Sequence, residues 1–287
     1  MTTDTTAGPT TVLVLGGTGK TGRRVAARLR SRGHAVRIGS RSGQPRFDWQ
    51  DDRTWGPVLA DVAAVYLAYA PDAGLPGAAE TIGAFAKEAV ARGVQRLVLL
   101  TGRGESGAQL SERAVQQAGA DWTIVRSSFF AQDFSEDEAF AGSVRGGMLV
   151  FPWVRAAEPF VDLADVADVA TAALTEDGHA GRIYELTGPR LLTFADVAAE
   201  IGAATGREIT CLPVTEDQFV SGLVGLGAPA EFAAQLTAMF GEVLDGRNAH
   251  VADGVRQALG REPRDVTDYI LEAAASGAWS LDAAASR

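Results

Sequence analysis

The stretch Thr-Val-Leu-Val-Leu-Gly-Gly-Thr-Gly-Lys-Thr-Gly, residues 11–22, decides the fold of this chain. Its four consecutive apolar residues, 12–15, are typical of a parallel strand that is covered on both faces. Gly16, Gly19 and Gly22 then follow at three-residue steps. They would permit a tight turn, a close approach of phosphate to the backbone, and close packing of a helix on the strand. The free N–H groups at the helix start would face an anion, so the stretch predicts a pyrophosphate site.

Two other interpretations of this loop compete with a pyrophosphate site. Gly19-Lys20-Thr21 resembles the end of a nucleoside-triphosphate P-loop, but that motif needs a further glycine five positions before Gly19. Val14 stands there, inside the predicted strand, so the spacing excludes a P-loop. The second interpretation is a tight turn that binds nothing, and the sequence that follows the loop argues against it.

The composition limits the class of protein and its partners. The chain has 287 residues, of which 46% are hydrophobic and 22% charged, so we expect a globular protein with one large and one smaller domain. No run approaches the roughly 20 apolar residues that cross a bilayer. Residues 1–10 lack an apolar signal core, so we expect a cytoplasmic protein without a membrane partner. The net charge of −10 argues against a nucleic-acid partner.

Cysteine and histidine are too few for disulfide or metal chemistry. Cys211 is the only cysteine, which excludes a disulfide within the chain. The three histidines are widely separated, so we expect no metal site. The sequence is compatible with a homodimer.

Strand and helix patterns alternate as far as residue 127. We expect strands at 11–15, 35–40, 47–49, 62–70, 96–101 and 122–126. We expect the intervening helices at 21–32, 53–59, 77–92 and 111–118. Strands and helices that alternate at this spacing predict an α/β protein with a doubly wound parallel sheet of the Rossmann type.

The alternation ends after residue 127. The later patterns are a helix at 162–174, a strand at 182–186, a helix at 194–205, a strand at 208–213 and then mainly helices. We therefore expect a disordered tail at 1–10, a Rossmann domain at 11–150 and a smaller α/β C-terminal lobe at 151–287, with 162–186 returning to the Rossmann domain. Ligands of doubly wound sheets bind at the carboxyl ends of the strands, so a small-molecule substrate is expected in the cleft between the lobes.

The end of the second strand selects the cofactor. Sites for NAD usually place Asp or Glu there to bind the ribose 2′-hydroxyl, about 20 residues beyond the glycines. This chain has Gly39-Ser40-Arg41 and no carboxylate, and the guanidinium of Arg41 could bracket a 2′-phosphate. We therefore expect NADP(H), with a solvated loop arginine as the alternative. Asp48 and Trp49 could border the adenine.

The residues at the ends of the predicted strands are our candidate site. For cofactor binding we assign Gly16, Thr18, Gly19, Lys20, Thr21, Gly22, Ser40, Arg41, Asp48, Trp49, Ala68, Tyr69, Ala70, Thr101 and Gly102. For substrate binding we assign Tyr69, Ser128, Phe129, Phe130, Gln132 and Asp133. Ordinary core packing is an equal alternative for the phenylalanines.

Several motifs occur in an order that resembles one known family. They are Val-Leu-Gly-Gly-Thr-Gly-Lys-Thr-Gly (14–22), Gly-Val-Gln-Arg-Leu-Val (93–98), Trp-Thr-Ile-Val-Arg (122–126), Phe-Ala-Gln-Asp-Phe (130–134), Pro-Phe-Val-Asp (159–162) and Tyr-Glu-Leu-Thr-Gly-Pro (184–189). Together they resemble the NmrA-like branch of the atypical short-chain dehydrogenase/reductases, from residue 11 to about residue 279. The resemblance implies an NADP-binding Rossmann fold. It also implies one of two functions, an NADPH-dependent quinone or related reductase, or a nucleotide sensor without turnover.

One departure from standard short-chain reductases constrains the chemistry. Those enzymes use Tyr-x-x-x-Lys, in which the lysine lowers the tyrosine pKa so that the tyrosine can protonate the developing alkoxide. No tyrosine here is followed by lysine at that spacing, because Lys20 and Lys87 are the only lysines. The helix in which related reductases carry a lysine has Gln-Leu-Ser-Glu-Arg at 109–113, and family members often have Asn at the place of Asp133. The catalytic residues therefore stay unassigned.

A site without a strong acid favours an acceptor that does not need one. Hydride addition to a quinone gives a stabilised phenolate that water can protonate, whereas a simple ketone gives a basic alkoxide. We therefore expect an NADPH-dependent reductase of a quinone or similarly activated carbonyl compound. The alternatives are a non-catalytic NADP sensor, and a tailoring reductase of secondary metabolism that acts on an aromatic polyketide or an imine.

Overall fold

The computed structural model describes residues 11–136 and 138–280. The tail predicted at 1–10 lies outside the described residues. The chain forms two compact units. Among the described residues, the first unit comprises 11–101, Ser106–Arg126 and Val166–Tyr184, and the second comprises Gly102–Glu105, 127–136, 138–165 and 185–280. This division differs from the predicted boundary at 150, because the segment that follows residue 126 already belongs to the second unit.

The strands are β1 (Thr11–Leu15), β2 (Ala35–Gly39), β3 (Val62–Leu67), β4 (Arg96–Gly102), β5 (Asp121–Ser127), β6 (Met148–Val150), β7 (Ala157–Glu158), β8 (Arg182–Leu186), β9 (Leu192–Thr193) and β10 (Thr210–Leu212). The helices are α1 (Lys20–Ser31), α2 (Trp55–Leu59), α3 (Ala78–Ala91), α4 (Ser106–Gln116), α5 (Asp133–Glu136), α6 (Glu138–Arg145), α7 (Leu163–Thr175), α8 (Phe194–Thr205), α9 (Glu216–Gly225), α10 (Ala230–Val243), α11 (Gly254–Leu259) and α12 (Val266–Ala275).

The first unit is built on a six-stranded sheet in the order β2-β1-β3-β4-β5-β8. The paired strands β1–β2, β1–β3 and β3–β4 are parallel, as the alternation of strands and helices predicted. Leu13 and Leu15 of β1 pack in one buried cluster with Phe85 of α3, and Val12 and Val14 are buried on the opposite face of the strand. The prediction of an α/β fold of the Rossmann type is confirmed.

The second unit has a mainly helical framework with two short sheets. Strands β6 and β10 pair in parallel, and β7 and β9 pair in antiparallel fashion. Its core is rich in aromatic rings, with Phe134, Phe151, Phe160 and Phe194 almost fully buried. Helix α8 begins with a capping box, in which Thr193 accepts a hydrogen bond from the N–H of Asp196 and the Asp196 carboxylate accepts one from the N–H of Thr193.

Two predicted elements are corrected by the structure. No strand forms at 47–49, because the N–H of Phe47 donates to the carbonyl of Ser40 and closes a loop after β2. The helix predicted at 111–118 begins earlier, at Ser106. A Cβ on Gly107, in its first turn, would lie 1.9 Å from the carbonyl oxygen of Gly74, so only glycine fits there.

Two absences concern the described residues only. Among their helices, none is both long enough and apolar enough to cross a membrane. Within the same part of the chain, no group of three or more His, Cys, Asp or Glu side chains is arranged to hold a metal ion.

Candidate functional site

The glycine loop after β1 is closed through its backbone. The N–H of Gly19 donates to the carbonyl of Gly16 at 2.9 Å, and Gly16 has a φ of 64° that favours glycine. A Cβ at Gly22 would overlap the carbonyl of Gly16 and lie 2.7 Å from Cα of Gly17. We did not assign Gly17 from the sequence, although a Cβ there would lie 2.7 Å from the Ile38 side chain of β2. The two adjacent glycines, Gly16 and Gly17, were the signal that could have revealed this close contact.

The start of α1 is suited to an anion. Gly19 precedes the helix in an extended conformation, and because it is glycine it has no side chain that could cap the first turn. That turn contains no acidic residue. The first N–H groups of such a helix lack partners within the helix, and they carry its positive dipole end. Thr18 and Gly19 are exposed, Lys20 is half-buried, and Thr21 is buried. This arrangement can bind a pyrophosphate through backbone N–H groups.

Ser40 and Arg41 lie at the same edge of the sheet as the glycine loop. They follow β2, whose last residue Gly39 pairs with Leu15, the residue before Gly16. Arg41 is exposed, and among the described residues it makes no hydrogen bond or ion pair. Its guanidinium is therefore available to a second phosphate near the loop.

The segment after β3 also reaches this edge. A Cβ on Gly16 would lie 3.2 Å from Cβ of Ala68, so the two segments are in direct contact. Tyr69 is half-buried and its ring centroid lies 5.0 Å from that of Trp49, whereas Ala70 is exposed. The predicted cofactor residues of β1, β2 and β3 are thus brought together.

Asp48 and Trp49 have structural contacts of their own. The Asp48 carboxylate accepts a hydrogen bond from the Arg46 guanidinium at 2.6 Å, and its backbone carbonyl accepts one from the Trp55 indole at 3.0 Å. Trp49 packs at 5.3 Å from the Phe85 ring. These contacts fix the loop, and a contact of either residue with adenine stays a prediction.

The helix that follows β4 carries a buried ion pair. Glu112 of α4 is 3% exposed and accepts hydrogen bonds from the Arg126 guanidinium at 2.9 and 2.5 Å. The hydroxyl of Thr101, at the end of β4, donates to the same carboxylate at 2.9 Å. Thr101 is therefore held as a structural donor. The next residue, Gly102, lies directly against the carboxylate of Glu105.

Three of the predicted substrate residues have internal partners within the second unit. Gln132 is 2% exposed, with its amide donating to Asp162 at 2.8 Å and accepting from the N–H of Leu163 at 2.9 Å. The Ser128 hydroxyl donates to the carbonyl of Pro159 at 2.6 Å, and the backbone of Phe130 forms a bridge with Val161. These contacts hold the segment after β5 in place.

Phe129, Phe130 and Asp133 are the more accessible members of that segment, because all three are only half-buried. Phe129 contacts the rings of Phe194 and Phe240 at 5.3 and 5.4 Å, and Asp133 begins α5. Substrate contacts of all five residues in this segment stay predictions.

A buried ionic cluster in the second unit was not predicted. Arg103, which is 4% exposed, donates to the backbone carbonyls of Asn248 and His250 at 3.0 and 2.9 Å and to the Glu185 carboxylate at 3.2 Å. Glu158 is 1% exposed, and its Oε2 has no hydrogen-bond partner among the described residues. Burial raises the pKa of Glu158 to about 7, against the opposing effect of the positive charge on Arg103. Arg103 is 82 positions from Glu185 and 145 from Asn248, so no local pattern could have revealed the cluster.

We expect Glu158→Gln to change how stability depends on pH. The folded pKa of about 7 exceeds the ordinary value of 4.5, so the folded chain keeps a proton that the unfolded chain releases. This contribution is fully present below pH 4.5 and is lost as the pH rises through about 7. Removing the ionisable group should therefore raise the free energy of unfolding at pH 8 by about 1–3 kcal/mol and leave it nearly unchanged at pH 4. Urea unfolding at both pH values measures the difference, and parallel pH profiles for the two proteins would contradict it.

Comparison with known proteins places the chain among oxidoreductases. No family model matches it. It is 30% identical over 279 residues to the uncharacterized oxidoreductase YesF of Bacillus subtilis, covering 92% of this chain and 95% of that protein. It is 29% identical over 290 residues to the NAD(P)H azoreductase of Xenophilus azovorans, covering 93% and 99%. The fold is similar to that of the triphenylmethane reductase of Citrobacter sp. complexed with NADP(H), with a TM-score of 0.71, 19% identity, and coverage of 92% and 99%.

Proposed function

The chain belongs to the NAD(P)H-dependent oxidoreductases of the atypical short-chain dehydrogenase/reductase type, and on this basis we propose that it is an NADPH-dependent reductase of a quinone or similarly activated carbonyl compound. Within that family we assign it to the NmrA-like branch, on the motifs given above. One observation carries the proposal. At one edge of the sheet, helix α1 starts without a capping side chain, and Arg41, which has no partner among the described residues, lies at the same edge.

The residues at this edge fit NADP(H). The backbone N–H groups at the start of α1 would bind the pyrophosphate, since neither a capping side chain nor an acidic residue competes for them. Arg41 would bind the 2′-phosphate, because β2 ends without the carboxylate that selects NAD. Tyr69 and Trp49 would border the rest of the nucleotide. The bound cofactor supplies the hydride.

The acceptor is limited by the proton that the site can supply. In α4 the carboxylate of Glu112 is already paired with Arg126 and Thr101, so it is not free to act as an acid. The sequence contains no tyrosine–lysine pair at the required spacing. A quinone accepts a hydride without such an acid, because its phenolate product is stabilised and is protonated by water. The chain would then act mainly by holding the acceptor in position.

We expect Arg41→Ala to abolish the preference for NADPH over NADH. A bidentate, charge-assisted contact with the 2′-phosphate is worth about 1.5–3 kcal/mol, so NADPH should bind about 10- to 100-fold more weakly. NADH lacks that phosphate, and its dissociation constant should change by less than about twofold. Fluorescence titration with each nucleotide measures both constants.

Arg30→Ala is the matched control, because it removes the same charge from an exposed position of α1. It should leave both constants nearly unchanged. Equal losses for NADPH and NADH in Arg41→Ala would contradict the assigned 2′-phosphate contact.

The function is tested by following NADPH absorbance with the purified chain and a panel of quinones, aldehydes, ketones and imines. We expect oxidation of NADPH with quinones and little with simple ketones. Tight NADPH binding without oxidation by any acceptor would instead favour the sensor. Oxidation with imines alone would favour a tailoring reductase.

A further inference from the structure

Four half-buried aromatic rings lie together in the second unit. The ring centroid of Phe240 lies 5.4 Å from that of Phe129, and 6.4 Å from those of both Phe219 and Trp153. The buried ring of Phe151 contacts Phe219 and Trp153, each at 5.4 Å. We refer to Phe129, Trp153, Phe219 and Phe240 as the aromatic cluster. Each of its rings remains partly accessible to solvent, unlike Phe151.

The segment that joins Phe219 to Phe240 is almost without charge, and Glu216 and Glu242 flank it. Between Phe219 and Phe240 the only charged residue is Glu231. Helix α9, which carries Phe219, buries none of its residues although four of its ten are Phe, Val or Leu, and Leu226 just after it is 76% exposed. An apolar segment that stays accessible beside half-buried rings is characteristic of a ligand site rather than of a completed core.

The position of Phe129 connects this cluster with the predicted substrate segment. Phe129 follows Ser127, the last residue of β5, by two positions. The carboxyl ends of the strands are where ligands of doubly wound sheets bind. The fixed backbone of the segment, with the Ser128 hydroxyl bound to the carbonyl of Pro159, holds the Phe129 ring in place.

The chemistry of the cluster defines its ligand. Aromatic rings bind other rings in offset or edge-to-face arrangements, with centroids about 4.5–7 Å apart. A charged or sugar-like ligand would lose its hydration there, because the ring faces offer it no hydrogen bonds in return. A flat, neutral, apolar ring system loses little hydration and gains contact area with every added ring.

We infer that the aromatic cluster binds the ring system of the hydride acceptor, which makes neutral, fused-ring quinones the preferred substrates. The inference rests on the proposed function. It assigns Trp153, Phe219 and Phe240 to substrate binding beside Phe129. Recognition by ring contact would also allow more than one quinone to bind, because apolar contacts are non-directional.

The test compares acceptor binding in variants that each lose one ring. Phe219→Leu and Phe240→Leu keep an apolar side chain, and Phe232→Leu is the control, since Phe232 is a half-buried residue of α10 outside the cluster. The probes are 2,3-dimethyl-1,4-naphthoquinone and tetramethyl-1,4-benzoquinone. Both are fully substituted, so that they do not add to Cys211. Quenching of tryptophan fluorescence is titrated at saturating NADP⁺, where no reduction occurs.

We expect the dissociation constant of the naphthoquinone to rise about 5- to 10-fold in Phe219→Leu and in Phe240→Leu, and less than about twofold in Phe232→Leu. The dissociation constant of the single-ring tetramethyl-1,4-benzoquinone should rise by a smaller factor in the same two variants. Trp153→Phe should remove most of the quenching amplitude, which provides a reading that does not depend on the two leucine variants. NADPH affinity should stay unchanged in all four variants.

The outcomes separate this inference from the proposed function. Naphthoquinone binding that depends on the cluster rings, without NADPH oxidation, would contradict the proposed reductase function and support the aromatic site. Normal oxidation with unchanged naphthoquinone affinity in both cluster variants would retain the reductase and overturn the aromatic site. Equal weakening in Phe232→Leu, or full quenching in Trp153→Phe, would also overturn it.

Discussion

Gly22→Ala should nearly eliminate NADPH binding. A Cβ at this position would overlap the carbonyl oxygen of Gly16 and lie 2.7 Å from both the carbonyl carbon of Gly16 and Cα of Gly17. All three are backbone atoms of the loop, so the methyl group can be accommodated only if the loop moves away from the helix. The N–H groups at the helix start would then no longer converge on the pyrophosphate.

The expected loss can be estimated from those hydrogen bonds. Each bond from a backbone N–H to a charged phosphate is worth about 1.5–3 kcal/mol, so losing two weakens NADPH binding about 100-fold or more. The crowding should also lower the free energy of unfolding by about 1–3 kcal/mol. Titration of NADPH fluorescence measures the affinity, and urea unfolding without nucleotide measures the stability.

Gly142→Ala is the matched control for this substitution. Gly142 also lies within a helix, α6, and a Cβ there would have no neighbour within 4 Å. Alanine should therefore stabilise the chain by about 0.5–1 kcal/mol and leave NADPH affinity unchanged. Undiminished NADPH affinity in Gly22→Ala would show that the loop does not bind the pyrophosphate.

The glycine loop was predictable because everything that shapes it lies within about a dozen residues. A buried strand, the turn and the helix start are local features, and the parallel sheet follows from their repetition along the chain. Arg41 could be assigned for the same reason, since Gly39 ends β2 next to the end of β1 in any parallel pairing of these strands. Local patterns therefore predicted the fold, and they predicted that the glycine loop and the end of β2 share one edge of the sheet.

The features that the sequence missed depend on distant contacts. Phe47 lies in a stretch suited to a strand, yet its N–H bonds to Ser40 and its ring packs against Phe85 of α3. The buried hydrogen bond from Gln132 to Asp162, which lies 30 positions further along the chain, was also not predicted. Tertiary partners decide such cases, and the periodicity of a sequence does not contain them.

Glu112→Ala should produce the largest loss of stability. The substitution removes the carboxylate that accepts two hydrogen bonds from Arg126 and one from Thr101. The Arg126 side chain is only 18% exposed, so its charge would remain in a poorly hydrated place without the carboxylate that neutralises it. Removing one member of such a pair costs about 3–5 kcal/mol, which urea unfolding would detect as a lower midpoint.

The exposed pair of Glu88 with Arg92 provides the comparison. It has the same two residue types, but its side chains are 39% and 46% exposed, so Glu88→Ala should cost less than about 0.5 kcal/mol. Glu112→Gln keeps the shape of the side chain and one acceptor oxygen, so its loss of stability should lie between those of Glu112→Ala and Glu88→Ala. Because the carboxylate is already occupied, Glu112→Gln should leave turnover at saturating quinone nearly unchanged while it lowers stability. A large loss of turnover in the folded Glu112→Gln protein would instead assign this carboxylate to proton transfer. The acceptor would then no longer have to be one whose reduced product water can protonate.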